Sequence, residues 1–287
     1  MKPKILITGA SSYLAHRLVP IAAGLAHVYG VSRRRDAVVP PASAVEFDLA
    51  STVDIAAMVK KINPDAIIHA AAVNPGDGDE LMDAVNHRAS AALAECALEQ
   101  NIRYVMVSSE SVHSGLAAPY ADNAGPDPIN NYGHTKAAGE HAVRVINPNA
   151  VIVRTSLIYG VEKMDRGTRG FRDRATRGET LVLFRDVYRQ PVWADSLSDV
   201  LCDLAVEQRH ISGVMNMVGS QRMSRADFGL KMLEFWGIDP GADVELGSGA
   251  GLGGVQMDLT CTCELADELG YQRPGVDDVL SRHQHAR

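Results

Sequence analysis

Apolar residues are laid along this chain in two alternating rhythms. The first is a short unbroken run, Lys4-Ile-Leu-Ile-Thr8, which is how a strand reads when both of its faces are covered. The second follows at once, with Leu14, Leu18, Ile21, Ala22 and Leu25 at three- and four-residue spacing, the apolar stripe of a helix. The alternation then repeats. Residues 27–31 read as a second strand, and a capping-box-like Ser51-Thr52-Val53-Asp54 opens a helix that stops near Asn63-Pro64. Residues 65–72 form a buried strand, 79–100 a helix and 104–110 another strand. Strands alternating with helices at this spacing predict a parallel, doubly wound α/β sheet. Beyond Gly160 the pattern loosens into a short strand at 181–184, a helix from Asp195 to about Glu207 and a strand at 213–218. A helix capped by Ser224 and a last helix at 276–282 follow, with a glycine-rich stretch at 247–254 expected as a loop over the crevice.

Chemistry-bearing residues collect at the ends of the predicted strands. The first ends in Gly9-Ala10-Ser11-Ser12-Tyr13-Leu14-Ala15, a strand-turn-helix passage whose amides can cradle a dinucleotide pyrophosphate. Ser12 and Ala15 take the places of the second and third glycines, which weakens the signal. The second strand ends in Ser32-Arg33-Arg34-Arg35-Asp36, where an NAD site would carry an acid for the ribose hydroxyls. A small hydroxyl beside arginines suits a 2′-phosphate instead, so NADP is the expected cofactor and NAD the alternative. The competing reading is a solvated charge run. Ala70, Ala71 and Ala72 are small, as a strand end under a planar cofactor must be.

Ser109 falls at the carboxyl end of its strand, the edge at which open parallel sheets bind ligands. Asn130-Asn131-Tyr132-Gly133-His134-Thr135-Lys136 then opens a helix, and residues four apart share a face. The Tyr132 phenol and the Lys136 ammonium are therefore expected in one space. There the cation would favour the phenolate and make Tyr132 a proton donor and acceptor near neutral pH.

Composition narrows the field. The chain has 287 residues, 46% hydrophobic and 22% charged, which fits one large α/β unit with a smaller lobe. No apolar run is long enough for a bilayer, and the first one is too short for a signal peptide, so a cytoplasmic protein is expected. A net charge of -7 argues against nucleic acid as a partner. Cys96, Cys202, Cys261 and Cys263 lack metal-site spacing and read as free thiols, with no metal expected. A homodimer is left open.

Taken together, these pieces resemble the extended short-chain dehydrogenase/reductases, and within them the dTDP-4-dehydrorhamnose reductase branch. The matching segments are the Gly9 turn, Asp48, His69-Ala70-Ala71-Ala72, Asn86, Val107-Ser108-Ser109, Pro119-Tyr120, Tyr132 with Lys136, and the run from Val153 to Gly160. The resemblance implies a Rossmann domain over residues 1–160 and about 187–213, and a C-terminal substrate-binding lobe over about 161–186 and 214–287. It implies Ser109, Tyr132 and Lys136 as the catalytic set. For the cofactor it implies Gly9, Ser11, Ser12, Tyr13, Leu14, Ser32, Arg33, Arg34, Asp48, Leu49, Ala70, Ala71, Ala72 and Asn86, joined by Tyr132 and Lys136.

A nucleotide-sugar-like substrate is implied, reduced at a keto group with Tyr132 giving the proton. The departure lies at Glu110-Ser111-Val112-His113-Ser114-Gly115, where the reductases usually read Asp-Tyr-Val-Phe-Asp-Gly. Two alternatives follow. One is a nucleotide-sugar epimerase or dehydratase, although the Asp-Glu pair of the related dehydratases is not supplied by Glu110-Ser111. The other is a non-catalytic NADP-binding subunit, since the branch includes a regulatory subunit of methionine adenosyltransferase. Five arginines between Arg166 and Arg177 are read either as contacts to a diphosphate or as a solvated helix face.

Overall fold

The computed structural model describes residues 2–239 and 244–284. Seven strands form one parallel sheet: β1 (Lys4–Thr8), β2 (His27–Ser32), β3 (Ser43–Glu46), β4 (Ala66–His69), β5 (Arg103–Ser109), β6 (Val151–Thr155) and β7 (Gly213–Met217). Their order across the sheet is β7-β6-β5-β4-β1-β2-β3, every adjacent pair parallel. The order reverses between β1 and β4, which opens a crevice at the carboxyl ends of these two strands.

The unbroken apolar runs are explained by the two cores. On β1, Ile5 and Ile7 enter the core shared with helices α1 (Ala15–Leu25) and α6 (Ala194–Val206), while Leu6 enters the opposite one. That second core takes α2 (Ile55–Ile62) and α3 (Ala89–Glu99), and Val143 from α4 (Asn131–Ile146). The same division holds along β5, with Val105 and Val107 on one side and Tyr104 and Met106 on the other. A strand buried on both faces shows no alternation because each residue meets a helix layer.

A third, smaller core holds Tyr159, Val161, Met223, Phe228, Met232 and Phe235 with Val276, Val279 and Leu280. It joins α7 (Arg225–Phe235) to the closing helix Val276–Gln284 and forms the lobe beside the crevice. Earlier in the chain, α5 (Arg166–Thr176) follows the short strand Ile158–Tyr159.

Three expectations shift. The fourth strand stops at His69, and Ala70 to Ala72 run on outside the ladder, tied back where Ala71 N donates to Thr8 Oγ1 at 3.2 Å. The helix expected over 79–100 runs without interruption from Asp79 to Glu99 but widens into a π-helical stretch at Asp83–Arg88, where Asn86 sits. Residues 213–217 pair with β6 as the outermost strand, and Leu259, Cys261, Cys263 and Ala266 enter the large core against it. The sheet unit therefore reaches to Met217 and reclaims part of the C-terminal segment that the sequence assigned to the lobe. Both pairings are long-range and leave no local signal.

Candidate active site

A cavity of about 820 Å³ runs across the carboxyl ends of β1, β2, β4 and β5 to the lobe. It is within the range of small-molecule and cofactor sites. Gly9 shapes its floor. At φ +70° it occupies a left-handed conformation, and a Cβ there would come within 2.8 Å of the Ala71 Cα and nitrogen. Only glycine lets β1 and the segment after β4 meet this closely. Ser12 N donates to Gly9 O at 2.9 Å to close the turn, and Ser12 Oγ accepts from Ala15 N at 3.3 Å, so the serine caps the start of α1.

Beneath the floor a buried relay fixes the strand ends. Ala71 N donates to Thr8 Oγ1, which lies 2.7 Å from His69 Nδ1; His69 Nε2 lies 3.0 Å from Ser90 Oγ, which donates to Asn86 O at 2.8 Å. Because Ser90 spends its hydrogen on Asn86, His69 must donate from Nε2 and accept at Nδ1 from Thr8. Burial, with Lys136 nearby, brings the imidazole down to about 3 and keeps it neutral. Asn86 in turn exchanges hydrogen bonds with the Val73 main chain at 2.9 and 3.0 Å and donates to Thr135 at 3.1 Å. It is fully buried and lies outside the lining of the cavity. It ties α4 to the strand end instead.

The helix α4 brings the catalytic candidates together. Asn130 caps it through Gly133 N at 2.8 Å. A Cβ on Gly133 would lie 2.2 Å from Ser111 O, so this glycine lets the helix press onto the end of β5. Tyr132 thereby lines the cavity beside Ser109, whose hydroxyl lowers the phenol against burial. Ser109 Oγ accepts from Ser111 N at 3.2 Å and keeps its hydrogen free to donate.

The Lys136 Nζ donates to Val107 O at 2.8 Å, and burial brings the ammonium down to about 8 against the pull of Glu140. Burial, then Glu110, raises Tyr132 above the ordinary phenol value, and the Ser109 hydrogen bond is what opposes them. Val107 O holds the ammonium, and Lys136 lines the cavity together with Tyr132. Glu140 is itself locked, accepting from Ser108 at 2.6 Å and pairing with the fully buried Arg154 at 2.7 Å.

Glu110 follows Ser109 into the cavity and pairs with Arg189 at 3.2 Å. Its carboxyl is pushed up to about 7 because burial outweighs Arg189, and burial also lowers the Arg189 guanidinium. Neither partner is made more ionised by meeting the other, as happens when desolvation exceeds the Coulombic gain. Sequence reasoning weighed Glu110 only as a departure from a motif. The pairing joins the lobe to β5 and has no local signature.

At the adenosine end, Ser32 Oγ donates to Ser11 Oγ at 3.2 Å, and Arg33, Asp48 and Leu49 line the cavity with Tyr13 and Leu14. Arg34 does not; it pairs with Asp36 at 3.2 Å on the outer surface. Of the arginine-rich segment, Arg166 and Arg169 reach the cavity, whereas Arg172, Arg174 and Arg177 pair with Asp173 and Glu179 at the surface. Among the described residues no cluster of His, Cys, Asp or Glu is arranged to hold a metal ion, and no helix is long and apolar enough to cross a membrane.

A doubly wound sheet with this turn and a Ser-Tyr-Lys set at its edge defines a dinucleotide-binding fold of the short-chain dehydrogenase/reductase kind. The family model described as the RmlD substrate binding domain matches residues 2–248, and the chain belongs to that family. A dTDP-4-keto-6-deoxy-D-glucose reductase of Streptomyces niveus is 29% identical over 249 residues, covering 84% of this chain and 81% of that one. The methionine adenosyltransferase 2 subunit beta of Xenopus tropicalis is 26% identical over 249 residues, 82% of this chain and 72% of its own. Among solved structures, a dTDP-4-dehydrorhamnose reductase of Bacillus anthracis in complex with NADP superposes with a TM-score of 0.83 at 21% identity, covering 100% of both chains.

Proposed function

We propose that this chain is an NADPH-dependent reductase of a keto group on a nucleotide-linked sugar, with NADH as the alternative cofactor. The observation that carries the reading is the convergence of Ser109, Tyr132 and Lys136 on a cavity that also contains the Gly9 turn. The residues fit a dinucleotide: a floor that a Cβ would fill, small residues at 70–72, and Ser32 with Arg33 at the far end. When bound, the nicotinamide supplies the hydride. Tyr132 gives its proton to the developing alkoxide, and Ser109 holds the phenol oxygen as charge builds on it. Lys136, fixed by Val107 O, places an ammonium under the ribose region. The reductase names among the relatives support the nucleotide-sugar substrate. With four buried free cysteines, the reading carries a cytoplasmic location.

The assay is NADPH oxidation with a panel of dTDP-, UDP- and GDP-4-keto-hexoses. Turnover that disappears in Tyr132→Phe supports the proposal. Silence across the panel, with NADPH binding intact, moves the reading to a different ketone or to a binding subunit. The second is favoured by the similarity to methionine adenosyltransferase 2 subunit beta, and a pull-down of a stoichiometric enzyme partner would establish it.

A further inference from the structure

Lys163 stands over the glycine turn. Its carbonyl accepts a hydrogen bond from the Tyr13 phenol at 2.8 Å, and its ammonium lies 2.6 Å from Nε2 of His16, in the first turn of α1. Both side chains line the cavity with Gly9, Ser11 and Ser12. The acids nearby are engaged elsewhere. Glu162 and Asp195 hold Arg17, and Asp165 accepts from Thr168 through both its main-chain nitrogen and its hydroxyl. Arg169 and Arg166 add further cations to the same rim. Lys163 spends one N–H on His16, and no carboxylate pairs with its ammonium among the described residues, so its charge and its other N–H groups face the cavity for an anion. Burial, then Lys163 and Arg169, lowers His16, so it meets the ammonium as a neutral acceptor.

We infer that Lys163, assisted by His16, holds the diphosphate of the bound dinucleotide, reaching it from the segment that follows the strand Ile158–Tyr159. The inference rests on the dinucleotide reading above and adds to it. The turn carries Ser12 where a glycine is usual, its oxygen accepting from Ala15 N at the start of α1. Charge from Lys163 supplements the amides of the turn.

The test is equilibrium binding of NADPH and of NADH to the full chain, followed by intrinsic fluorescence. Lys163→Ala is expected to weaken both by the same factor, roughly tenfold, since the diphosphate is common to them. Lys163→Arg should restore most of the loss. The hydrogen bond from Tyr13 goes to the main chain and survives in both variants, so detachment of the segment does not confuse the result. The salt dependence of binding should also become shallower in Lys163→Ala. Unchanged affinity for both cofactors overturns the inference. So does a variant in which only the KM for the nucleotide sugar rises, because the anion would then be the substrate's. A wild-type chain that binds neither dinucleotide would instead sink the cofactor reading, and this inference with it.

Discussion

Replacing Glu110 with glutamine tests the energetics of the crevice directly. Its carboxyl is raised from 4.5 to about 7, chiefly by burial. At about 1.4 kcal/mol per pH unit, ionising it in the folded chain costs on the order of 3 kcal/mol more than in the unfolded chain. The sign follows from proton counting. Between these values the folded state holds the proton and the unfolded state has released it. The stability this group contributes is therefore complete below its unfolded value and is lost as pH rises through about 7. Glutamine mimics the neutral carboxyl at every pH. Urea unfolding of wild type and Glu110→Gln, run side by side from about pH 4.5 to about pH 8, cancels every other titrating group in the difference. The two should be nearly equal in acid, and the variant should become more stable by up to about 3 kcal/mol in mild alkali. A difference that stays flat with pH, or one that turns in favour of the wild type, would show that the Arg189 pair repays its desolvation and would refute the reasoning.

Other outcomes are expected from single changes. Tyr132→Phe should lower kcat by roughly a hundredfold or more while leaving the cofactor dissociation constant unchanged, because the lost hydroxyl acts on the proton; steady-state kinetics beside a binding titration separates the two. Arg33→Ala should weaken NADPH and leave NADH nearly untouched, in contrast to the uniform loss in Lys163→Ala, and equal losses for the two cofactors would remove Arg33 from the 2′-phosphate. Gly9→Ala should destabilise the fold by at least about 1–2 kcal/mol for its left-handed backbone alone, more for the contact with Ala71, and should abolish dinucleotide binding; a melting temperature equal to the wild type would contradict the close approach seen there.

Much of the architecture was legible along the chain because its signals are local. Residues 4–8 and 104–110 read as strands from their apolar runs, and helix periodicity between such runs predicted a parallel, doubly wound sheet. Gly9, Ser109, Tyr132 and Lys136 were nameable for a related reason: a turn after a first strand, a strand end and a helical spacing are each set by a few adjacent residues. What each group does was decided only when distant segments met. The spacing of Tyr132 and Lys136 predicted one shared electrostatic space, and the Val107 carbonyl, on a different element, holds the ammonium. Asn86 became a tie between α4 and a strand end because the helix carrying it opens into a wide turn. Lys163, far along the sequence, came to rest over the first turn. Periodicity reports which face of an element is covered. It carries no record of which partner covers it, and burial and charge at a site depend on that partner.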